Sequence, residues 1–570
     1  MAALAAVVVL TAFALGYRFY ARFIGERVYE DRDDELITPA HAREDGRDFV
    51  PTSPHVLFGH HFTSIAGAAP IVGPCVAAYW GWAPALAWVV LGTLFMGAVH
   101  DFGALVVSVR EGGRSIADVT ADVGGRARLL FLSFVLVLVW LVLAVFAMVI
   151  AGLFVSQPAS VLPIQSEILL ALGVGWWVTK KKRSPLVPSL LALVALYALV
   201  WAGTKAPLDL QALGLDAADA RTAWILFLFA YSAVASLLPV WLLLQPRDFI
   251  NSHQLFVGLA LLFGGLFVAQ PALDAPAFRA PGDDAPSLFP LLFVTIACGA
   301  ISGFHGLVSS GTTSKQLDRL PDARPIGYGA MLGEGTLALA STLAAVAGIG
   351  LVGACTLPGQ GAVADLSWAG YYDSWAHAGQ NKAAAFVLGG GAFLEALGLP
   401  TELARTLMAV LVISFAATTL DTATRIQRFI VAELGQATGA RPLENPFVGT
   451  ALAVLPAMAL AFGETTDASG ATREVGWVLW PIFGASNQLL AALTLLVLAL
   501  YFAIRKRPVW PLVVPMVLVT VVAVLALIGK LRQFVAQGDA LLATVAGGLL
   551  ALAIWMLVEA ALAIRARRHA

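Results

Sequence analysis

Residues 59–82 read GHHFTSIAGAAPIVGPCVAAYWGW, an apolar run that contains Gly67, Pro70, Gly73 and Pro74 near its middle. A run of about 20 apolar residues is long enough to cross a bilayer as a helix. Each proline removes an amide donor and clashes with the preceding turn, so the run predicts a helix broken near its centre. Irregular backbone at membrane depth is tolerated only where it is buried in protein or lines a cavity, which makes the break a candidate binding site.

A second run, residues 291–318, reads LLFVTIACGAISGFHGLVSSGTTSKQLD and contains Gly299, Gly303, Gly306 and Gly311. By the span count below, it crosses the membrane in the opposite direction to the first run. Two interrupted helices of opposite orientation point to an inverted repeat with a substrate site at the membrane midplane. The alternative is close helix packing through small residues, which is common in membranes.

The composition is that of a polytopic membrane protein. Of 570 residues, 59% are hydrophobic and 12% are charged, whereas an ordinary soluble domain has roughly a quarter charged residues. The formal net charge of −1 excludes a nucleic-acid binder that relies on a basic surface, and the hydrophobicity excludes a disordered chain. A protein of this apolar composition is expected to lie in a lipid bilayer. Nothing in the sequence indicates an oligomeric state.

Apolar runs predict an all-α protein with about fifteen transmembrane helices. The predicted spans are 2–17, 59–80, 84–109, 129–154, 165–179, 185–203, 222–244, 251–270, 287–308, 330–353, 401–423, 446–463, 475–503, 509–529 and 539–563. Run 383–399 contains three consecutive glycines and Glu395, and is interpreted as an interfacial or re-entrant helix. With the loop after the first span inside, 27 of the 35 Lys and Arg residues fall on the inner side. The positive-inside rule therefore predicts the N-terminus outside and the C-terminus inside.

Six stretches of sequence resemble the carbon-starvation (CstA) family of membrane transporters. They are VLFGHHFTSIAGAAPIVGP (56–74), HDF (100–102), SSGTTSKQL (309–317), DARPIGYGAMLGEG (322–335), LDTATRIQRF (420–429) and WPIFGASNQLLAAL (480–493). The resemblance implies uptake of peptides or pyruvate across the bacterial inner membrane, and does not choose between the two. It also implies membership of the amino acid–polyamine–organocation superfamily.

That superfamily implies a LeuT-like core of five plus five inverted helices within one membrane domain. On this mapping the parts are a peripheral first helix and cytoplasmic loop (1–58), a first repeat (59–203), an inserted helix pair (204–286), a second repeat (287–503) and peripheral C-terminal helices (504–570). The expected function is secondary active import, with a proton preferred over sodium as the coupling ion.

The candidate substrate-binding residues belong to the two broken helices and to one helix near the C-terminus. They are Ala66, Gly67, Ala68, Ala69, Pro70, Gly73, Gly299, Gly303, His305, Gly306, Asn487 and Gln488. Because no Lys or Arg lies in the middle of either broken helix, backbone amides at the breaks are expected to hold a substrate carboxylate. His305 is a candidate donor to that carboxylate or a proton relay. Asn487 and Gln488 either contact substrate or cross-link core helices.

The candidate ion-coupling residues are Asp101, Ser414, Thr418, Thr419 and Asp421. Ionisable groups inside a membrane are costly, which makes Asp101 either a proton or cation carrier or the partner of a buried hydrogen bond. Hard cations prefer oxygen ligands, so Thr418 and Thr419 are the candidate cation site; the alternative is hydroxyl back-bonding within the helix. Glu334 is interpreted as a structural carboxylate that reaches water. No cofactor is expected.

Other function classes are weaker fits. A membrane enzyme is disfavoured because the sequence contains neither HExxH nor GxSxG. An ATP-driven pump is disfavoured because there is no glycine-rich P-loop. A channel would conduct without solute coupling, and a nutrient sensor with transporter architecture would bind without net flux.

Overall fold

Long apolar helices account for most of the chain. The computed structural model describes residues 1–122, 125–181, 184–280, 286–357, 361–380, 383–466 and 472–568. Within these ranges, twelve helices are long and apolar enough to cross a membrane, or thirteen if one bent pair is counted as a single span. Because lipid cannot satisfy backbone amides and carbonyls, helices that bond internally are what such a composition requires.

The principal helices are numbered in chain order. They are α1 (Ala2–Tyr29), α2 (Pro54–Ile65), α3 (Ala69–Trp80), α4 (Trp82–Arg110), α5 (Arg126–Ser156), α6 (Pro158–Lys181), α7 (Leu186–Lys205), α8 (Ala217–Leu237), α9 (Leu244–Ala269), α10 (Leu288–Thr295), α11 (Gly303–Gly311), α12 (Leu320–Leu351), α13 (Ala384–Ala396), α14 (Thr401–Thr438), α15 (Pro446–Phe462), α16 (Val475–Ile504), α17 (Trp510–Ala536) and α18 (Ala540–Arg568). Two antiparallel hairpins join Cys355–Leu357 to Gly361–Val363 and Glu464–Thr466 to Thr472–Glu474.

Both predicted helix interruptions are confirmed. Helices α2 and α3 are bent by 45° relative to each other at Ala66–Ala68, and α10 is separated from α11 by residues 296–302. The count of fifteen spans stays a prediction. The two predicted spans outside the thirteen are the α10–α11 pair and α15, which has 17 residues.

The two broken helices lie against each other at their interruptions. A Cβ built on Gly73 would overlap the Thr295 carbonyl oxygen at the end of α10. A Cβ built on Gly299 would lie 3.6 Å from the Pro70 Cα atom in α3. The side-by-side breaks therefore need glycine at Gly73, because the space for a side chain is filled by backbone.

The segments at the other ends of these helices are tied together through the main chain. Just before α2, the Val50 amide donates to the Lys315 carbonyl (3.3 Å) and the Thr52 amide donates to the Gln316 carbonyl (3.1 Å). Thr52 and Leu317 thereby form a short parallel bridge. The start of the first broken helix and the end of the second therefore share one backbone link.

The remaining helices surround this pair. Helix α2 packs against α9, α3 against α12, α11 against α4 and α16, and α5 against α14. The run with three glycines forms the continuous helix α13, which is buried from Ala385 to Leu394 and packs on α9 and α14. Helices α6 and α7 pack mainly on each other and on α9.

Candidate functional site

At the first break, buried backbone amides are left without hydrogen-bond partners within the described residues. Ile71 and Val72 both donate their amides to the Ala68 carbonyl, at 3.1 and 2.9 Å, and so begin α3. The amides of Ala68 and Ala69 have no hydrogen-bond partner among the described residues, although both residues are buried. An unpaired buried amide costs free energy comparable to a lost hydrogen bond, so these two donors suit an anionic or carbonyl ligand.

Gly67 brings the break into contact with α14 and α5. A Cβ at Gly67 would lie 2.7 Å from Thr419 Oγ1 and 3.0 Å from Phe146 Cε2. The Thr419 hydroxyl donates to the Phe415 carbonyl (3.0 Å) and lies 3.4 Å from the Ser64 carbonyl. Of the predicted cation ligands, Thr419 is therefore the one whose hydroxyl reaches the first break.

The amide side chain of Asn487 in α16 forms hydrogen bonds with residues at the second break. Its Oδ1 atom accepts a hydrogen bond from the Phe304 amide (2.9 Å), and its Nδ2 atom donates to Ser302 Oγ (2.9 Å). Gly303 lies so close that a Cβ there would be 2.5 Å from the Asn487 carbonyl. Asn487 thus satisfies one of the free amides at the start of α11.

Neighbouring polar groups hold the rest of the second break. The Gln488 side chain donates to the Phe293 carbonyl (2.6 Å), and the Thr93 hydroxyl donates to the Gly299 carbonyl (3.1 Å). Gly306 lies against an imidazole, since a Cβ there would be 2.9 Å from His100 Cε1. Gln488 therefore cross-links α16 to α10 in this structure.

Three ionisable side chains from three helices meet beside α11. Asp101 of α4, His305 of α11 and Glu334 of α12 are each fully buried, and we name them the acid–histidine triad. His305 Nδ1 lies 3.0 Å from Asp101 Oδ2, and His305 Nε2 lies 3.3 Å from Glu334 Oε2. The other Asp101 oxygen lies 2.7 Å from His100 Nδ1. The structure therefore joins two residues predicted for different roles, Asp101 and His305.

A second group of buried charges lies near the first break, and we name it the arginine cluster: Glu167, Tyr231, Arg247 and Asp421. Arg247 forms an ion pair with Asp421 and donates to Glu167 Oε1 (3.1 Å). The Tyr231 hydroxyl donates to Asp421 Oδ2 (2.7 Å). Glu167 also accepts from the Ser414 hydroxyl (3.0 Å). Four helices, α6, α8, α9 and α14, are joined by these contacts.

The predicted ion-coupling residues are therefore distributed over separate surroundings. Thr419 faces the first break. Asp421 belongs to the arginine cluster, and Ser414 contacts that cluster through Glu167. Asp101 belongs to the acid–histidine triad. The Thr418 hydroxyl accepts from Asn251 Nδ2 (3.0 Å) on α9. Within the described ranges, no group of three or more His, Cys, Asp or Glu side chains has an arrangement that could hold a metal ion.

The two histidines before the first break are buried and paired. His60 Nδ1 contacts the Asp248 carboxylate on α9, and His61 Nδ1 lies 2.9 Å from Thr313 Oγ1 beyond α11. Helix α2 is thereby connected through side chains to both α9 and the end of the second broken helix.

Two charged residues differ from their sequence interpretation. Arg247 is one of the 27 Lys and Arg residues that the positive-inside count places on the inner side. It lies inside α9 and is 1% exposed, and two carboxylates neutralise it there. Glu334 does not reach water, since its position on α12 turns it toward His305. Glu167, a third buried charge, lies within α6 and is not among the residues predicted from the sequence. The signal for all three was a charge within or beside an apolar run, but its partners lie on other helices.

Comparison with known proteins shows which family the sequence of this chain resembles. The family model described as carbon starvation protein CstA matches residues 1–356 and 368–526. The peptide transporter CstA of Mycobacterium tuberculosis strain H37Rv is 33% identical over 551 residues, which cover 87% of this chain and 71% of that protein.

Two further relatives come from Escherichia coli K12. Its peptide transporter CstA is 33% identical, with 88% of this chain and 77% of the relative covered. Its pyruvate/proton symporter BtsT is also 33% identical, with 89% and 78% covered. A manganese transporter structure from Eremococcus coleocola aligns over 91% of this chain and 99% of its own, at 11% identity and a TM-score of 0.46.

Proposed function

The chain belongs to the carbon starvation protein CstA family, whose curated relatives here are membrane transporters, and we propose that it is a secondary active transporter importing small peptides or pyruvate-like carboxylates across the bacterial cytoplasmic membrane. The observation that carries the proposal is the contact between two interrupted helices, with Gly73 against Thr295 and Gly299 beside Pro70. Such paired interruptions are typical of binding sites at the membrane midplane. The N-terminus would lie outside and the C-terminus in the cytoplasm.

The proposed core is a LeuT-like five-plus-five inverted repeat that works by alternating access. The packing of α4 on α11 has a counterpart in α12 on α3, and α9 on α2 has a counterpart in α16 on α10. Likewise α8 packs on α5 as α15 packs on α14. These pairs favour α2–α3, α4, α5, α8 and α9 as the first repeat, and α10–α11, α12, α14, α15 and α16 as the second. Helices α6 and α7 would then be the inserted pair, in place of the predicted 204–286.

The proposed substrate cradle uses the backbone at both breaks. Ala68 and Ala69 offer buried amides in the first break, and the Gly303 amide is likewise without a partner among the described residues. Several converging amides at helix N-termini stabilise a carboxylate without a cationic side chain. Asn487 and Gln488 would shape the second break from α16. A carboxylate is the feature that peptides and pyruvate share.

Proton coupling is proposed over sodium. One relative is named a pyruvate/proton symporter, and titratable groups from several helices are buried around both breaks. Asp101, Ser414, Thr418, Thr419 and Asp421 are the proposed coupling residues. An imposed proton gradient would then drive accumulation of the substrate.

Counterflow in proteoliposomes tests the proposal directly. Vesicles loaded with unlabelled pyruvate or a dipeptide should accumulate the labelled solute from outside without any ion gradient. Free-acid dipeptides should compete for a dipeptide signal, whereas C-terminally amidated dipeptides should compete poorly, because they lack the anion. Equal competition by both forms would contradict the carboxylate cradle. A wild-type protein that shows no counterflow with either solute class would contradict the proposed function.

A further inference from the structure

The acid–histidine triad places one imidazole between two carboxyl groups. Asp101 faces the Nδ1 atom of His305, at 3.0 Å, and Glu334 faces the Nε2 atom, at 3.3 Å. All three side chains are fully shielded from solvent. No oxygen of Glu334 has an aligned hydrogen bond within the described part of the chain. The imidazole is thus the nearest group that can neutralise this carboxyl.

This arrangement needs one proton more than an ionised Asp101, an ionised Glu334 and a neutral His305 would carry together. A neutral imidazole has one N–H and one lone pair, so with both carboxyls ionised a lone pair would face a buried anion. That contact is unfavourable in an environment that water cannot screen. The extra proton sits either on the second ring nitrogen or on the Glu334 carboxyl. In both cases the triad holds the same number of protons.

The groups around the triad do not replace this proton. His100 approaches the second Asp101 oxygen from α4, and Tyr29 from α1 donates to the Val99 carbonyl (2.7 Å). His61 from α2 is bonded to Thr313, and Cys298 contacts Asn487 and Ser302 within the second break. Helix α16 contributes the uncharged Thr494 next to Gly306.

We propose that the acid–histidine triad is the site that binds the coupled proton, with Glu334 and His305 sharing it. The inference rests on the proposed transport function. The triad takes a proton from water on one side of the membrane and releases it to water on the other, with no change of oxidation state. When the proton leaves, repulsion between His305 and Glu334 separates α11 from α12. Proton occupancy is thereby linked to the position of the half-helix that forms the second break.

Glu334→Gln is the decisive variant, because glutamine keeps the shape of the side chain and removes its ability to titrate. The full-length protein is reconstituted and assayed for both counterflow without a gradient and accumulation driven by a proton gradient at zero membrane potential. One pH unit supports about tenfold accumulation of a solute that moves with one proton. Wild type should approach that value. Glu334→Gln should accumulate nothing beyond equilibrium, yet retain counterflow with a flattened pH profile.

A control and a second variant make the result decisive. Glu402→Gln alters an exposed carboxylate at the start of α14 and should behave as wild type in both assays. Asp101→Asn should share the phenotype of Glu334→Gln. Normal gradient-driven accumulation by Glu334→Gln would overturn the inference. Loss of counterflow together with accumulation in both triad variants would also overturn it, because the triad would then be structural. Absence of counterflow in wild type would instead count against the proposed function itself.

Discussion

Arg247 and Asp421 form a buried ion pair that joins α9 to α14 close to the first break. The guanidinium also contacts Glu167 of α6 at 3.1 Å. Two carboxylates thus neutralise one buried cation, and Tyr231 supplies a further hydrogen bond to Asp421. The pairing gives Asp421 a structural role in addition to the coupling role proposed for it, and its sequence context, a helix rich in hydroxyls, did not indicate that structural role.

Removing one member of this pair should destabilise the protein. We expect Arg247→Met and Asp421→Asn each to lower the free energy of unfolding, with Arg247→Met costing about 3–5 kcal/mol because it leaves two buried carboxylates without a counter-ion. Thermal unfolding of the detergent-purified protein would measure the loss. The double variant Arg247→Met with Asp421→Leu should recover part of the stability.

The exposed ion pair between Arg319 and Asp34, with its side chains 61% and 59% exposed, is a suitable control. Arg319→Ala should leave the unfolding temperature nearly unchanged, because exposed ion pairs contribute little to stability. A normally stable Asp421→Asn protein that loses only gradient-driven accumulation would instead assign Asp421 to ion coupling alone.

Gly67→Ala should perturb the first break. The new methyl group would meet Thr419 Oγ1 at 2.7 Å and Phe146 Cε2 at 3.0 Å, and such overpacking typically costs about 1–3 kcal/mol. We expect counterflow to fall, because α14 must move away from the break. Adding Thr419→Ala should restore part of the activity by removing the hydroxyl.

Gly152→Ala provides the matched control, since Gly152 of α5 has no atom within 4 Å of the position that a Cβ would take. It should leave counterflow unchanged. Equal losses from Gly67→Ala and Gly152→Ala would show that contact with Thr419 is not the cause.

Asn487 should be replaceable by aspartate more easily than by leucine. Aspartate keeps an oxygen for the Phe304 amide, which lies 2.9 Å from Oδ1, and an acidic group is favourable at a helix N-terminus. Leucine leaves that amide buried without a partner, at a cost of about 1–3 kcal/mol. Thermal unfolding of the two variants would compare them. The same loss in both would mean that the Asn487 amide group contributes through Nδ2 rather than Oδ1.

Lys315 should make stability depend on pH. Burial lowers the pKa of Lys315 to about 8, against the attraction of Glu433 and Asp48, and its ammonium lies 3.7 Å from the Phe429 ring centre. Below pH 8 the folded protein carries this buried charge. At higher pH the folded state releases the proton, whereas the unfolded state keeps it up to about pH 10.4. The free energy of unfolding therefore rises as the pH increases from about 8 toward about 10.

Lys315→Met should therefore raise the unfolding temperature at pH 7, and its advantage should shrink at pH 9. Packing differences between lysine and methionine do not change with pH, so the change in the difference isolates the charge. Lys205→Met, at the exposed end of α7, should show the same small difference at both pH values. A pH-independent effect of Lys315→Met would contradict the lowered pKa.

The sequence predicted the helix breaks because their cause is local. Gly67 and Pro70 lie at or next to the break between α2 and α3, and they lack the side chain or the amide that a regular helix uses. Gly73 and Pro74 lie inside α3, so the sequence located the break only approximately. Partnerships between helices were harder to predict. Whether Glu334 faces water or His305 depends on the rotation of α12 about its own axis, which its packing on α2, α3 and α4 sets and one sequence does not reveal. The sequence likewise identified the hydroxyls of Ser414, Thr418 and Thr419 in α14, but not that each contacts a different neighbour.

The backbone link between residues 50–52 and 315–316 has a consequence for how its importance can be detected. Its donors are the amides of Val50 and Thr52, and its acceptors are the carbonyls of Lys315 and Gln316. Related proteins can change every side chain in this link and still keep it, and alanine scanning would leave it intact. A proline at Thr52 removes a donor, so proline scanning is the form of mutagenesis that can show whether the two broken helices must remain joined there during transport.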